Sequence, residues 1–227
     1  MQHTLDNLIW NALITGNKNM AHPVGNAAYI KRDVGLFAGM KNNNREEFDE
    51  LYRALPAKAQ IILFTPNKIA VPDNWSVKVN RPVLQMVYLQ EHGPVVADEH
   101  IVPLQDKDIP AMLELTHMTN PGPFFSRTID FGNYEGIFNG GQLIAMIGHR
   151  LRPYTYTEVS AVCTHPDHTG NGYAAKLLLS QLGRITATSQ IPFLHVYPEN
   201  TGACKLYWKL GFETRKEIWV YFLEKTG

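Results

Sequence analysis

The sequence predicts a mixed α/β fold, α+β in three layers, and three observations predict it. First, short apolar runs with strand character alternate with amphipathic helical stretches along the whole chain. Second, hydrophobic residues make up 44% and aromatics 11% of the 227 residues, which is enough for a buried core and too much for a disordered chain. Third, the longest apolar runs, such as Ile61 to Phe64 and Leu143 to Ile147, fall far short of the ~20 residues that span a bilayer. Charge narrows the function classes. Lys plus Arg is 21 and Asp plus Glu is 21, so the chain offers no basic surface for nucleic acid. Two cysteines, Cys163 and Cys204, do not make a disulfide framework in a chain this long. The opening residues Met1 to Asp6 show no basic segment followed by an apolar one, so no signal peptide is expected, and a cytoplasmic location is.

The elements follow in order. Leu5, Leu8, Ile9, Ala12 and Leu13 predict a helix over 3–16. Strand-like runs follow at 27–31 and 34–38, punctuated by Gly35 and Gly39. A helix over 45–55 is stopped by Pro56, and 60–64 reads as a buried strand. Residues 76–90 look extended, with Pro82 arguing for an edge or a break. The segment from Glu91 looks like a linker, which divides the chain into an N-terminal α/β subdomain (1–97) and a second domain (98–227). In the second part, 101–104 reads as a strand and 106–118 as a helix ended by Asn120-Pro121-Gly122-Pro123. Strands at 134–138 and 143–151 are joined by Asn139-Gly140-Gly141, a hairpin signal. Further strands are predicted at 155–164, 192–196 and 218–223, with helices from 173 and over 201–210.

The strongest chemical signal is the strand–Gly170-Asn171-Gly172–helix passage. Glycines admit a ligand close to the backbone, and a helix start presents unpaired N–H groups, so the passage suits a phosphate or pyrophosphate. A P-loop is excluded because Lys176 lies between Ala175 and Leu177. A dinucleotide fingerprint matches only loosely, and too little chain follows for a doubly wound sheet.

From Glu158 to Leu223 the chain resembles the GNAT superfamily of acyl-CoA N-acyltransferases. The family's pyrophosphate loop, Arg/Gln-x-x-Gly-x-Gly/Ala, is matched by Thr169-Gly170-Asn171-Gly172-Tyr173-Ala174 only in part, with Thr169 in the Arg/Gln position. A second family segment is matched fully by Asn200, Ala203, Leu206, Tyr207, Gly211 and Phe212. The flavour of Glu158 to Pro166 is similar to glycine N-acyltransferase-like proteins. The resemblance implies a GNAT-like mixed twisted sheet flanked by helices. The N-terminal subdomain would then be a cap or a degenerate half of the same fold.

It also implies an enzyme that moves the acetyl group of acetyl-CoA directly to a primary amine of a small molecule or amino acid. Longer acyl donors stay open, as does a non-catalytic acyl-CoA-binding or sensing module. Tyr207 takes the family's general-acid position, and Glu158 is the candidate base, particularly if burial raises its pKa. Strand alternation puts Glu158 on one side with Ser160 and Val162 unless a bulge intervenes. The cofactor-binding set implied is Val162, Cys163, Thr164, His168, Thr169, Gly170, Asn171, Gly172, Tyr173, Ala174, Asn200, Ala203 and Tyr207. Asn200 is also a sufficient helix cap. His165, Asp167 and His168 lack further ligands at zinc spacing, so no metal is expected. His195 reads as an ordinary core or cleft histidine, and Cys163 has no assignable partner for nucleophilic work. No nucleic-acid or membrane partner is expected, and a homodimer is left open.

Overall fold

The computed structural model describes residues 3–94 and 98–226. A 3-10 turn, Thr4–Asn7, runs into α1 (Leu8–Ile14), and the predicted apolar stripe Leu5, Leu8, Ile9, Ala12 and Leu13 is buried. The helix ends short of 16 because Thr15 leaves the helical region. Strands β1 (Ala21–Val24), β2 (Ala27–Ile30) and β3 (Ala38–Met40) form a small antiparallel sheet. The strand predicted at 34–38 is mostly a turn, since the Val34 and Gly35 N–H groups both bond to the Lys31 carbonyl. Gly39 is where α1 crosses β3: a Cβ there would lie 2.4 Å from the Trp10 backbone nitrogen. Helix α2 (Arg45–Ala54) is closed by a capping box between Asn44 and Glu47.

The main sheet holds β4 (Gln60–Thr65), β5 (Trp75–Tyr88), β6 (Ile101–Pro103), β7 (Glu135–Asn139), β8 (Gln142–His149), β9 (Tyr156–Thr164), β10 (Ile191–Val196) and β11 (Phe212–Lys225). Their order is β4-β11-β5-β10-β9-β8-β7-β6. The sheet is mixed, parallel only between β9 and β10 among its named pairs. Helices α3 (Ile109–Thr119), α4 (Tyr173–Ala187) and α5 (Thr201–Lys209) complete the layers.

Period-2 alternation divides the core between the two faces. Ile62 and Phe64 of β4 join α1 and α3 in one cluster, while Ile61 and Leu63 join α2 in another. Likewise Phe193 faces the first cluster and Leu194 faces α4 and α5.

The predicted division near residue 97 does not divide the sheet. β5, from the first hundred residues, lies between β10 and β11, and β4 forms the far edge. Residues 95–97, the end of the expected linker, lie outside the described residues. Pro82 sits inside a strand of 14 residues, yet has only β11 beside it, because β10 pairs with β5 from Leu84 onward. An edge position was the right physical requirement for a residue lacking an N–H, met locally inside the sheet. β11 is longer than the predicted 218–223 because the polar run Glu213 to Glu217 still pairs with β5.

Candidate active site

β9 and β10 pair at only three positions, Tyr156 with Ile191, Thr157 with Pro192 and Glu158 with Phe193. Beyond these the strands part. β9 also carries a bulge: from Gly148 to Met146 on β8, β9 advances from Ser160 to Cys163, one residue more. Ala161 absorbs it with φ of 53°. The bulge is the exception that the alternation argument allowed for. Val159, Ser160, Ala161 and Val162 all reach the same cleft.

That cleft has a volume of about 670 Å³. Its walls are the diverging ends of β9 and β10, Asn120 to Pro123 after α3, and Tyr207 of α5. The first hundred residues contribute as well, through Phe37, Ile62, Phe64, Arg81 and Val83. These were missed in sequence because no local motif marks them.

The loop 169–172 stands where β9 leads into α4. Gly170 and Gly172 have φ of 81° and 77°, conformations that L side chains rarely adopt, and a Cβ on either would meet nothing. Gly172 caps α4 without a side-chain hydrogen bond, so no side chain occupies the helix start. Thr169 donates from its hydroxyl to the Pro166 carbonyl, and Asn171 donates from its amide to the carbonyls of His168 and Thr169. The residue that departs from the family pattern thus holds the turn rather than reaching outward. His165 Nδ1 accepts from the Asp167 N–H, a local cap. Among the described residues no group of three or more His, Cys, Asp or Glu side chains gathers as a metal site would.

Asn200 Oδ1 accepts from the Ala203 N–H at 3.2 Å and caps α5 while lining the cleft. Tyr207 is buried, edge-on to Phe212 at 5.9 Å, and burial followed by the nearby thiols Cys163 and Cys204 raises its pKa well above the usual phenol value. It therefore stays a proton donor at neutral pH. Cys163 is buried, and burial lifts its thiol to about 11, so it is no thiolate.

Glu158 differs from expectation. It is 0% exposed and does not line the cleft. Burial alone would raise its pKa, but Arg150 and then His195 hold it down to about 2. Arg150 donates to it twice, at 2.9 and 2.6 Å, the Leu151 N–H donates at 3.3 Å, and His195 Nδ1 lies 2.7 Å away. The raised pKa suggested for a buried carboxylate is corrected: a bidentate guanidinium outweighs desolvation here.

His195, which does line the cleft, is also tied. Its Nε2 lies 3.1 Å from the Gln85 amide nitrogen, and its ring stacks on Phe64 at 4.6 Å. Arg215 Nε donates to Gln85 Oε1 at 2.5 Å, so the amide NH₂ faces His195. Arg215 is the extra residue of a bulge between Thr214 and Lys216, and it also pairs with Asp6 at 2.6 Å. Burial lowers the His195 pKa, and the ring is the neutral tautomer that donates from Nδ1 to Glu158 and accepts at Nε2. One hydrogen-bonded chain, Arg150–Glu158–His195–Gln85–Arg215–Asp6, thus runs from the end of β8 across four strands to the N-terminal turn.

The profile of FR47-like proteins matches residues 134–220. A crystal structure of a GNAT-family protein from Novosphingobium aromaticivorans superposes with a TM-score of 0.92 at 33% identity, covering 100% of both chains. A GCN5-related N-acetyltransferase from Kribbella flavida gives 0.64 at 15% identity, covering 98% of this chain and 96% of that one. One from Sphaerobacter thermophilus gives 0.56 at 13% identity, covering 99% and 92%, and these two bear on the fold alone. No curated relative matches the chain. With that overall fold, that sheet opening and a full-length relative a third identical, the chain belongs to the GNAT family and is an acyltransferase.

Proposed function

We propose that the chain transfers the acetyl group of acetyl-CoA directly to a primary amine of a small molecule or amino acid. The observation that carries this reading is the parting of β9 and β10 after three residue pairs, which leaves backbone of Val162 to Thr164 unpaired toward β10. An extended pantetheine arm fits such an edge as an added strand would. The start of α4, reached through Gly170 and Gly172, supplies first-turn N–H groups for the pyrophosphate, with Tyr173 and Ala174 in the first turn. The parting, the glycine turn and the cleft all suit acetyl-CoA as donor without needing a basic surface. The similarity of Glu158 to Pro166 to glycine N-acyltransferase-like proteins supports a small acceptor.

In this reading the amine attacks the thioester carbonyl carbon, the C–S bond breaks, and Tyr207 protonates the leaving sulfur. Glu158 anchors Arg150 and His195 rather than acting as a base. Residues of the first hundred, Phe37, Phe64 and Arg81 among them, cap the acceptor end.

Calorimetry with CoA followed by thiol release from acetyl-CoA over an amine panel tests it. Tyr207→Phe is expected to lower kcat about 10²-fold or more with KM nearly unchanged. CoA binding without turnover on any amine would leave the acyl-CoA-binding module instead, and absence of CoA binding would remove both.

A further inference from the structure

The charged groups at the cleft are already paired. Its charged lining side chains are Arg81 and Arg150, which pair with Glu199 and Glu158, and among the described residues no Asp or Glu itself lines it. Glu158, the carboxylate behind the wall, has its oxygens occupied by Arg150, the Leu151 N–H and His195. His195 has both ring nitrogens engaged, and Gln85 cannot turn to accept from a protonated ring without aiming its NH₂ at Arg215. The groups facing this pair are Arg150 just after β8, Tyr134 before β7, Arg215 from β11 and Asp6 from the N-terminal turn, so the cations bear directly on the ring. Among the described residues an ammonium entering the cleft thus meets no unpaired carboxylate and no free imidazole nitrogen. The rest of the lining mixes aromatic and aliphatic side chains, Phe37, Phe64 and Val83 among them, with polar ones, Thr119, Asn120 and Ser160 among them.

We infer that the acceptor is a weakly basic amine, taken up already neutral, and that no side chain of this protein deprotonates it before attack. The inference rests on the transferase reading above. The step balances without an enzymic base. Nitrogen bonds to the carbonyl carbon, the C–S bond breaks, and sulfur takes the Tyr207 proton. The surplus proton on nitrogen returns to the Tyr207 oxygen, so amine and thioester become amide and thiol.

Aniline and benzylamine, which differ by one methylene, separate the alternatives with the intact protein and acetyl-CoA. Benzylamine is protonated at neutral pH and aniline is not. Between pH 6 and 9, kcat/KM for benzylamine is expected to rise about tenfold per pH unit with its free-base fraction, while that for aniline stays flat. A common inflection for both amines, or a flat profile for benzylamine, would overturn the inference and leave the transferase standing. Acetyl-CoA binding without turnover of either amine would remove both. A readout independent of turnover is the ¹⁵N spectrum of His195, expected to keep a neutral, Nδ1-protonated ring from pH 6 to 8. An imidazolium appearing in that window overturns the inference too.

Discussion

Replacing Glu158 by Gln removes one charge and almost no volume, so the loss reads chiefly the Arg150–Glu158 pair, with the His195 contact as the smaller part. The carboxyl is held at about 2 against an ordinary value of 4.5, and at about 1.4 kcal/mol per unit this contributes about 3 kcal/mol at neutral pH. A separate route gives a similar figure: stripping one partner from a buried pair costs about 3–5 kcal/mol, because the other charge stays buried. The sign follows from the depressed folded value. The contribution is full above the unfolded value near 4.5 and is lost as pH falls toward 2. Urea unfolding followed by fluorescence of the four tryptophans should show wild type about 3 kcal/mol more stable than Glu158→Gln at pH 7, with the gap down to about 1 kcal/mol at pH 2.5. A double variant, Arg150→Met with Glu158→Leu, should cost less than the single change. A loss below about 1 kcal/mol at pH 7, or one independent of pH, would refute the account of the pair.

Other perturbations test the frame around the site. Gly39→Ala drives a Cβ into the Trp10 backbone, and thermal melts should show a loss of about 1–3 kcal/mol. Asn200→Ala removes the cap on α5, and denaturant unfolding should register about 1 kcal/mol. Gly172→Ala meets no atoms but forces a positive φ on an L residue, costing about 1–2 kcal/mol of stability, and calorimetry should find CoA binding weakened.

Legibility in the sequence tracked how local each signal was. The helix stripe at 5–13, the hairpin at Gly140-Gly141, the glycine turn before α4 and the Asn200 cap all depend on neighbours within a few residues, and all were read from spacing. Glu158 stands out on its strand, but its partners come from the end of β8 and from β10. Burial alone predicted a raised pKa, and Arg150 reversed it. His195 reads as an ordinary core or cleft histidine in sequence because nothing near it in the chain points to Gln85.

The sequence by itself determined the family, the glycine turn before α4 and the helix that carries Tyr207, because these are written in runs of a dozen residues. Only the tertiary structure decided that β5 enters the sheet between β10 and β11, and that the first hundred residues wall the cleft. It also decided that a bulge turns Arg215 toward Gln85. The physical reason is that period-2 alternation specifies which face a residue takes but not which strand lies beside it. Strand order and charge pairing follow from contacts far apart in the chain, such as Asp6 with Arg215, and no local pattern encodes them.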